Sequence, residues 1–317
     1  MWRYREALPI DHDENIVSFH EGFTPLVTET IFGKKVLLKL DYLFPSGSFK
    51  DRGASVLVSK MKELGIRSVV EDSSGNAGAA IAAYCAKAGI QCNIYVPEKT
   101  SSEKFIQIQS YGATLHKIHG TREATARAAL LDAQSMYYAS HYWNPYFIHG
   151  TKTFIFEVVE QLDWRAPDIV MVPVGNGTLL LGIYQGLLDL QRKHHIETLP
   201  RLIGVQTAHC APLAYAWKKH KFADKNQLWK KSIAEGIAIT KPIRATDILH
   251  AVKCTKGDII TVNEREIINA LHMIQHKGYY IEPTSAVALA GLQKYTIKNN
   301  EVIIVPLTGH GLKQSYL

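Results

Sequence analysis

Short apolar runs rich in β-branched residues alternate along the chain with longer amphipathic runs. The short runs predict β-strands at residues 35–40, 68–71, 92–96, 114–118, 169–173, 202–205, 258–262 and 302–306. The longer runs predict helices at residues 53–64, 76–88, 102–111, 122–136, 152–162, 178–194, 265–276 and 284–298. Because strands and helices alternate throughout, we predict an α/β protein with parallel sheets flanked by helices.

The composition fits a globular protein of this class. The chain has 317 residues, of which 46% are hydrophobic and 21% are charged. These values exclude a disordered, a collagenous and a disulfide-scaffold protein. At roughly 100–200 residues per domain, the length predicts two lobes or one large α/β domain.

The formal net charge of +7 invites comparison with nucleic-acid-binding proteins. The basic residues are densest in a segment with two tryptophans, whose lysines are Lys218, Lys219, Lys221, Lys225, Lys230 and Lys231. Basic residues mixed with aromatic residues can bind nucleic acid, but this segment lacks a recognised binding module. We therefore predict a solvated face or loop and no nucleic-acid partner. A mildly positive field would instead assist the entry of anionic ligands.

The cysteines are few and scattered along the chain, at Cys85, Cys92, Cys210 and Cys254. Since no C-x-x-C pair and no H-E-x-x-H motif occurs, we expect reduced thiols and no metal site. The N-terminus lacks the apolar segment of a signal peptide. The longest apolar stretch, residues 169–188, is interrupted by Pro173 and by glycines, which disfavours a membrane helix. We expect a cytoplasmic protein with no membrane partner.

In parallel α/β sheets, ligands bind where strands lead into helices, and the first such junction contains a lysine. Residues 45–53 read P-S-G-S-F-K-D-R-G. Lys50 stands just before a predicted helix, where backbone dipoles and Arg52 favour the neutral amine that a Schiff-base lysine requires. Taken alone, a solvated lysine in the first helical turn is the more common case.

The second junction, residues 71–78, reads E-D-S-S-G-N-A-G between a predicted strand and an alanine-rich helix. The side chains of Ser73, Ser74 and Asn76, with the backbone N–H groups of the turn, form a donor-rich loop suited to a carboxylate or phenolate oxygen. The alternative is an ordinary helix N-cap with a glycine for close packing.

Two further junctions are glycine-rich. Residues 172–178 read V-P-V-G-N-G-T, and their glycines would let the backbone approach a phosphate at a helix N-terminus. This loop is neither a Walker A sequence nor a full G-x-G-x-x-G, so it is nonspecific by itself. Residues 305–311 read V-P-L-T-G-H-G, in which glycines flank His310 after the hydroxyl of Thr308. By itself, this segment is equally a loop that ends a strand.

Together these segments resemble the fold-type II pyridoxal-phosphate enzymes, the tryptophan synthase β superfamily. P-S-G-S-F-K-D-R-G is similar to the cofactor-lysine motif of that family, S-S-G-N-A-G to its asparagine loop and V-G-N-G-T to its phosphate loop. E-P-T-S-A at residues 282–286 and L-T-G-H-G-L-K at residues 307–313 most resemble threonine synthase. The resemblance spans about residues 20–313, in the expected order.

The resemblance implies a role for each of these motifs. Lys50 would bind the aldehyde of pyridoxal 5′-phosphate covalently and then act as the catalytic base. Asn76 would contact the phenolate oxygen of the cofactor, and Thr308 its pyridine nitrogen. The phosphate would be held by Gly175, Asn176, Gly177 and Thr178. The substrate α-carboxylate would be held by Ser73, Ser74, Asn76 and Ala77.

The resemblance also implies a two-domain fold-type II architecture, each domain a mostly parallel sheet flanked by helices. Residues 1–50 and 146–317 would form the large cofactor-binding domain and residues 51–145 a small mobile domain, with the cofactor in the inter-domain cleft. A homodimer is implied as well. A neutral threonine at the pyridine nitrogen gives moderate electron withdrawal, which suits elimination better than transamination.

One motif departs from threonine synthase, which converts O-phosphohomoserine and water to threonine and phosphate. That family binds the substrate phosphate through the arginine of N-P-x-R-x-x-G-Q-K. Residues 144–152 here read N-P-Y-F-I-H-G-T-K, with Phe147 at the arginine position and Thr151 at the glutamine. A phenyl ring cannot make the paired, charge-assisted hydrogen bonds of a guanidinium. Candidates to replace it are Lys152, His149 and Arg244.

We therefore predict a PLP-dependent lyase, threonine synthase-like, that acts on a small amino-acid substrate. The alternative is a β-elimination or β-replacement enzyme such as a threonine/serine dehydratase, which the A-E-G-I-A segment at residues 234–238 resembles. A non-catalytic PLP-binding homologue is a third hypothesis. The presence of Lys50 and of every cofactor motif counts against it.

Overall fold

The computed structural model describes residues 1–98, 103–120, 122–223, 227–298 and 300–313. The chain divides into two compact units. The first comprises the described residues of Met1–Gly22, Phe44–Thr153 and Lys313–Leu317, and the second comprises those of Phe23–Leu43 and Phe154–Leu312.

Strands and helices alternate within the described residues. The strands are β1 (Leu26–Ile31), β2 (Lys34–Lys39), β3 (Ser68–Glu71), β4 (Gln91–Pro97), β5 (Thr114–Ile118), β6 (Tyr137–Tyr138), β7 (Ile169–Pro173), β8 (Arg201–Thr207), β9 (Asp258–Val262) and β10 (Ile303–Pro306). The helices are α1 (Lys50–Glu63), α2 (Asn76–Ala88), α3 (Glu103–Ser110), α4 (Arg122–Asp132), α5 (Pro145–Thr151), α6 (Thr153–Gln161), α7 (Thr178–Arg192), α8 (Pro212–Lys219), α9 (Ala245–Cys254), α10 (Glu264–Gln275) and α11 (Pro283–Gly291).

The sheet of the first unit is parallel throughout, in the order β5-β4-β3-β6. Its inner strands are buried on both faces, as expected for a parallel sheet covered by helices. The alanine-rich helix α2 packs against β4 and against α1. Because its alanines have short side chains, α2 can approach these neighbours closely, and it contributes much of the apolar core.

The sheet of the second unit has the order β1-β2-β10-β7-β8-β9. Only the β1–β2 pair is antiparallel among the described strands, and the remaining pairs are parallel. Strand β10 lies between β2 and β7, so the carboxyl ends of β7 and β10 meet at one edge of the sheet. Ligands of such sheets bind at this edge. The buried helix α11 packs against β7, β8 and β10.

The structure confirms the predicted α/β architecture with mostly parallel sheets, and the predicted bounds of β3, β5, β7, β9 and α2 coincide with the observed ones. The helix predicted over residues 284–298 is wrong in length, because α11 ends at Gly291. Gly291 packs against Val205 and Met171 where no side chain would fit. Strands β1 and β6 and helices α5, α8 and α9 were not predicted. Ser102 of one predicted helix lies outside the described residues.

The observed units differ from the predicted domain boundaries on both sides of the predicted small domain. Residues 1–22, 44–50 and 146–153 fall in the first unit with α1, whereas the sequence grouped residues 1–50 and 146–317 with the second. Hydrogen bonds to α1 explain the placement of residues 1–22. Ser55 Oγ donates to the Val17 carbonyl at 2.8 Å, and the N–H of Val17 donates to Ser59 Oγ at 2.8 Å. Trp2 Nε1 also donates to Ser55 Oγ.

The lysine-rich segment is exposed where the structure describes it, with Lys218 and Lys219 at the end of α8. Trp217 is tied to the protein, since its Nε1 donates to Asp258 at 2.7 Å. Lys225 lies outside the described residues. Among the residues that are described, no helix combines the length and the apolar character needed to cross a membrane.

Candidate active site

Lys50 is the first residue of α1, three residues earlier than the predicted helix start at residue 53. The turn before it is closed by Gly47, whose φ of +82° lies in the left-handed region and whose N–H donates to the Phe44 carbonyl at 2.7 Å. Asp51 then fixes the turn, because its carboxylate accepts from both the backbone N–H, at 2.8 Å, and the hydroxyl of Ser46. The backbone position of Lys50 is thereby determined on both sides.

The carbonyl of Ser46 is held from two further directions. Gln107 Nε2 donates to it at 2.9 Å and Lys313 Nζ at 2.7 Å. Burial raises the pKa of the neighbouring Asp51 to about 7, an effect that the hydrogen bonds from Ser46 oppose. Gln107 of α3 and Lys313 therefore both contact, through Ser46, the turn that precedes Lys50, which we call the lysine turn.

Two aromatic rings surround the amine of Lys50. Its Nζ lies 4.9 Å from the ring centre of Phe49 and 5.5 Å from that of Phe147. Phe147 is fully buried and packs so closely on Gly53 that a Cβ there would overlap its ring. Arg52, expected from the sequence to act on Lys50, donates to Thr153 Oγ1 at 3.0 Å and lies over Phe44. Apolar aromatic surface thus forms much of the surroundings of Lys50.

The segment Ser73–Ala77 leads from the carboxyl end of β3 into α2, which begins at Asn76. The first N–H groups of any helix lack partners within the helix and attract an anion. Gly78 is required here, because a Cβ at this position would overlap the carbonyl of Ser73. Ser73 and Ala77 are buried and Ser74 is partly buried. The loop therefore presents hydroxyl, amide and backbone donors together.

Two carboxylates precede this loop, and sequence reasoning assigned no role to either. Glu71 is fully buried, and its Oε1 pairs with His141 Nδ1 at 2.7 Å. Its Oε2 has no hydrogen-bond partner among the described residues. Burial raises the pKa of Glu71 well above its usual value, Asp72 raises it further, and the charge of Lys50 lowers it. The sequence did contain a signal for this site, namely the two successive acidic residues Glu71 and Asp72 at the end of a predicted strand.

Tyrosine hydroxyls surround the second of these carboxylates. Tyr142 donates to Asp72 at 2.6 Å and Tyr138 at 3.0 Å. Burial and the charge of Asp72 raise the pKa of both phenols, so each remains a donor at neutral pH. Asp72 is consequently fixed by two hydrogen bonds beside the Ser73–Ala77 loop.

In the second unit, the chain runs from β7 through Gly175, Asn176 and Gly177 into α7, which begins at Thr178. Gly177 has a φ of +76°, and a Cβ there would overlap the side chain of Ile248 from α9. At residue 175 a Cβ would lie 2.9 Å from Ile237 Cα. Both glycines are required by close packing. Thr178 is buried, so its hydroxyl lies with the backbone donors of the helix N-terminus.

Thr308 follows β10 and is also buried. Since β10 pairs with β7 in parallel, Thr308 and the Gly175–Thr178 loop lie at the same edge of one sheet. The hydroxyl of Thr308 lies 2.9 Å from that of Ser285, at the start of α11. Ser285 belongs to the E-P-T-S-A motif, but the sequence alone assigned it no role.

The predicted site residues thus fall into two groups. Lys50, Ser73, Ser74, Asn76 and Ala77 belong to the first unit, and the Gly175–Thr178 loop and Thr308 belong to the second. Within each group the residues stand at the carboxyl ends of parallel strands or at the first turns of helices. Such positions bind small anionic ligands.

Comparison with known proteins gives matches over nearly the whole chain. The family model for the pyridoxal-phosphate dependent enzymes matches residues 17–309. The chain is 34% identical over 325 residues to the threonine synthase of Methanocaldococcus jannaschii, covering 99% of this chain and 80% of that protein. It is 33% identical to the threonine synthase of Mycobacterium bovis, covering 98% of this chain and 87% of that protein.

Solved structures share the fold. A threonine deaminase from T.th. superposes with a TM-score of 0.78 at 23% identity, over 93% of this chain and 94% of that one. The likeness shows a common architecture.

Proposed function

Because the chain belongs to the pyridoxal-phosphate dependent enzyme family, we propose that it is a threonine synthase-like lyase acting on a small amino acid. The proposed reaction converts O-phosphohomoserine and water to threonine and phosphate. The observation that carries the proposal is the similarity to threonine synthases over nearly the whole chain. The geometry around Lys50 and the Gly175–Thr178 loop supports it.

The residues of the second unit fit the cofactor phosphate. The loop offers backbone N–H groups and the Thr178 hydroxyl at the N-terminus of a 15-residue helix, and it contains no acidic side chain. Side chains at residues 175 and 177 would meet Ile237 and Ile248, so the loop offers its backbone N–H groups rather than side chains at these two positions. We assign the phosphate to this loop and the pyridine nitrogen to Thr308.

The residues of the first unit fit the aldehyde and the substrate. The cofactor, when bound, supplies an electron sink that stabilises negative charge at the substrate α-carbon. We assign the aldehyde to Lys50, whose amine then removes and returns protons at the substrate carbons. We assign the phenolate oxygen of the cofactor to Asn76. The substrate α-carboxylate is assigned to Ser73, Ser74, Asn76 and Ala77.

A second candidate function is favoured by Phe147. Its buried ring lies 5.5 Å from Lys50 Nζ, so an uncharged, apolar surface stands beside the amine. Beyond it the ring of His141 packs against Phe147, with ring centres 5.9 Å apart. Such a surface suits a substrate with a small leaving group such as hydroxyl. This arrangement supports elimination from threonine or serine as the alternative reaction.

The first experiment tests the cofactor assignment. Purified protein loaded with pyridoxal 5′-phosphate and freed of the unbound excess should absorb visible light, and borohydride reduction should attach the cofactor to the peptide that contains Lys50. Lys50→Ala should show neither property. Lys87→Ala, which removes an exposed lysine from α2, should match the wild type. A wild-type protein that takes up no cofactor would refute the proposal.

The second experiment separates the two reactions. O-phosphohomoserine, threonine and serine are supplied in parallel, and phosphate, threonine and 2-oxo acids are measured. Phosphate and threonine from the first substrate support the synthase. Release of 2-oxobutyrate or pyruvate from the others, with no phosphate from O-phosphohomoserine, supports the alternative. Bound cofactor with no product in any assay would favour a non-catalytic protein.

We also propose a cytoplasmic homodimer. All four cysteines are free thiols, which is typical of proteins in a reducing compartment. The proposal of a dimer is based on the resemblance to fold-type II enzymes. Sedimentation equilibrium of the cofactor-loaded protein should give twice the chain mass of 35.5 kDa, and a single-chain mass would contradict it.

A further inference from the structure

The hydroxyl of Ser285 is a hydrogen-bond acceptor for two backbone groups. The N–H groups of Thr308 and Gly309 both donate to Ser285 Oγ, each at 2.9 Å. Ser285 is fully buried and Thr308 is 1% exposed, so water does not compete for these bonds. A serine hydroxyl has two lone pairs and one hydrogen. Both lone pairs of Ser285 are therefore used.

This arrangement determines which of the two hydroxyls is the donor. The oxygens of Ser285 and Thr308 lie 2.9 Å apart. Thr308 cannot donate to Ser285, because the acceptor capacity of Ser285 is already filled by backbone N–H groups. Ser285 must give its own hydrogen either to Thr308 Oγ1 or to the Gly309 carbonyl, which is farther away at 3.4 Å. In both cases the hydrogen of Thr308 is directed away from Ser285.

We propose that Ser285 is a positioning residue that directs the Thr308 hydroxyl to donate to the pyridine nitrogen of the cofactor and so keeps that nitrogen unprotonated. This inference rests on the proposed function, which assigns the nitrogen to Thr308. A ring nitrogen with a hydrogen of its own would bond to the remaining lone pair of Thr308 Oγ1 and leave the hydrogen of that buried hydroxyl without an acceptor, which is costly. The bonding of Ser285 thus selects the protonation state of the ring.

The nearby titratable groups of the second unit are Glu282 and His310. The carboxyl of Glu282 lies against Gly309, where an added Cβ would overlap it. The ring of His310 packs between Tyr42 and Tyr280, at 5.4 and 6.1 Å between ring centres. The control variant below leaves both groups in place, so any effect of their titration on the ring nitrogen appears equally in that control.

The test uses the holoenzyme loaded with cofactor carrying ¹⁵N in the pyridine ring. In the wild type, the ¹⁵N chemical shift should be that of an unprotonated pyridine and should stay constant from mildly acidic to alkaline pH. In Ser285→Ala, nothing holds the hydrogen of Thr308 away from the position of Ser285, so Thr308 Oγ1 can accept from a protonated ring and the ring nitrogen should titrate within this range. We expect its apparent pKa to rise by about one unit, the equivalent of one hydrogen bond.

Thr284→Ala is the matched control, because Thr284 is the adjacent buried hydroxyl and its Oγ1 has no hydrogen-bond partner among the described residues. It should keep the wild-type chemical shift at every pH. If Ser285→Ala does not fold, Ser285→Cys, with its weakly accepting sulfur, should show the same direction of change. A protonated ring in the wild type, or identical titrations in all variants, would overturn the inference. A wild type that binds no cofactor would instead refute the proposed function.

Discussion

Oε1 of Glu71 lies 2.7 Å from Nδ1 of His141, and both side chains are buried. The pair stands where β3 ends, directly before the Ser73–Ala77 loop. The ring of His141 also packs against Phe147, which itself lies beside Lys50. The acidic end of β3 is thereby linked to the aromatic surroundings of the candidate catalytic amine.

Removing the histidine of this pair should destabilise the protein. In His141→Leu, Glu71 loses the side-chain hydrogen bond at its Oε1, and leaving a buried polar group unsatisfied costs about 1–3 kcal/mol. Burial raises the pKa of Glu71 well above its usual value, so the folded protein holds the carboxyl neutral at acidic pH, and the carboxyl gains its charge, which needs the His141 partner most, only as the pH rises. The loss of stability should therefore be larger at alkaline than at acidic pH, as measured by urea unfolding at several pH values.

His119→Leu is the control for this prediction. His119 pairs with Glu98 at 2.9 Å, but 87% of its side chain is exposed. Exposed pairs contribute little, so this variant should unfold like the wild type. Equal effects of the two substitutions on the free energy of unfolding would show that the buried Glu71–His141 pair stabilises the protein no more than the exposed pair does.

Asp51→Asn should change how stability depends on pH. Burial raises the pKa of Asp51 from 3.8 to about 7 in the folded protein. Between these values only the folded protein holds the proton, so the free energy of unfolding falls as the pH rises. The fall is about 1.4 kcal/mol per pH unit and about 4 kcal/mol in all. The variant should lose this dependence, whereas Asp247→Asn, at an exposed side chain, should keep it. Parallel curves for wild type and Asp51→Asn would contradict the assignment.

Gly177→Ala should weaken cofactor binding and stability together. The residue has a φ of +76°, and a methyl group there would overlap Ile248. A non-glycine residue in this strained region costs of the order of 1–3 kcal/mol. Gly89→Ala is the matched control, because Gly89 has a similar φ of +67° but open space around it. Cofactor titration by fluorescence should show weaker binding only for Gly177→Ala. Equal affinity in both variants would argue against the loop as the phosphate site.

Phe147→Ala should destabilise the first unit by about 3–5 kcal/mol, the usual cost of removing a fully buried phenyl ring. Phe147→Leu, which keeps most of the volume, should lose less than half of that. Phe222→Ala, at a ring that is 54% exposed, serves as the control. Thermal unfolding of the three variants measures the order of their stabilities. A Phe147→Ala protein as stable as the control would mean that the ring is not part of the core.

Local patterns in the sequence predicted much of the fold. The bounds of α2 and β7 follow from runs of apolar residues that end at a glycine or a turn, and such signals require no knowledge of distant residues. The same holds for the lysine turn and the glycine loops, where a short motif defines its own backbone. Strand β1 was missed because polar residues interrupt it, and pairing with β2 stabilises it.

The sequence by itself determined the alternation of strands and helices, the position of Lys50 and the order of the loops, because each depends on neighbouring residues. Only the tertiary structure decided which side chains meet. Glu71 and His141 are 70 positions apart, and Ser285 and Thr308 are 23 apart. Their hydrogen bonds exist because sheet register and helix packing bring separate segments together, and once buried these polar groups must find partners in one another.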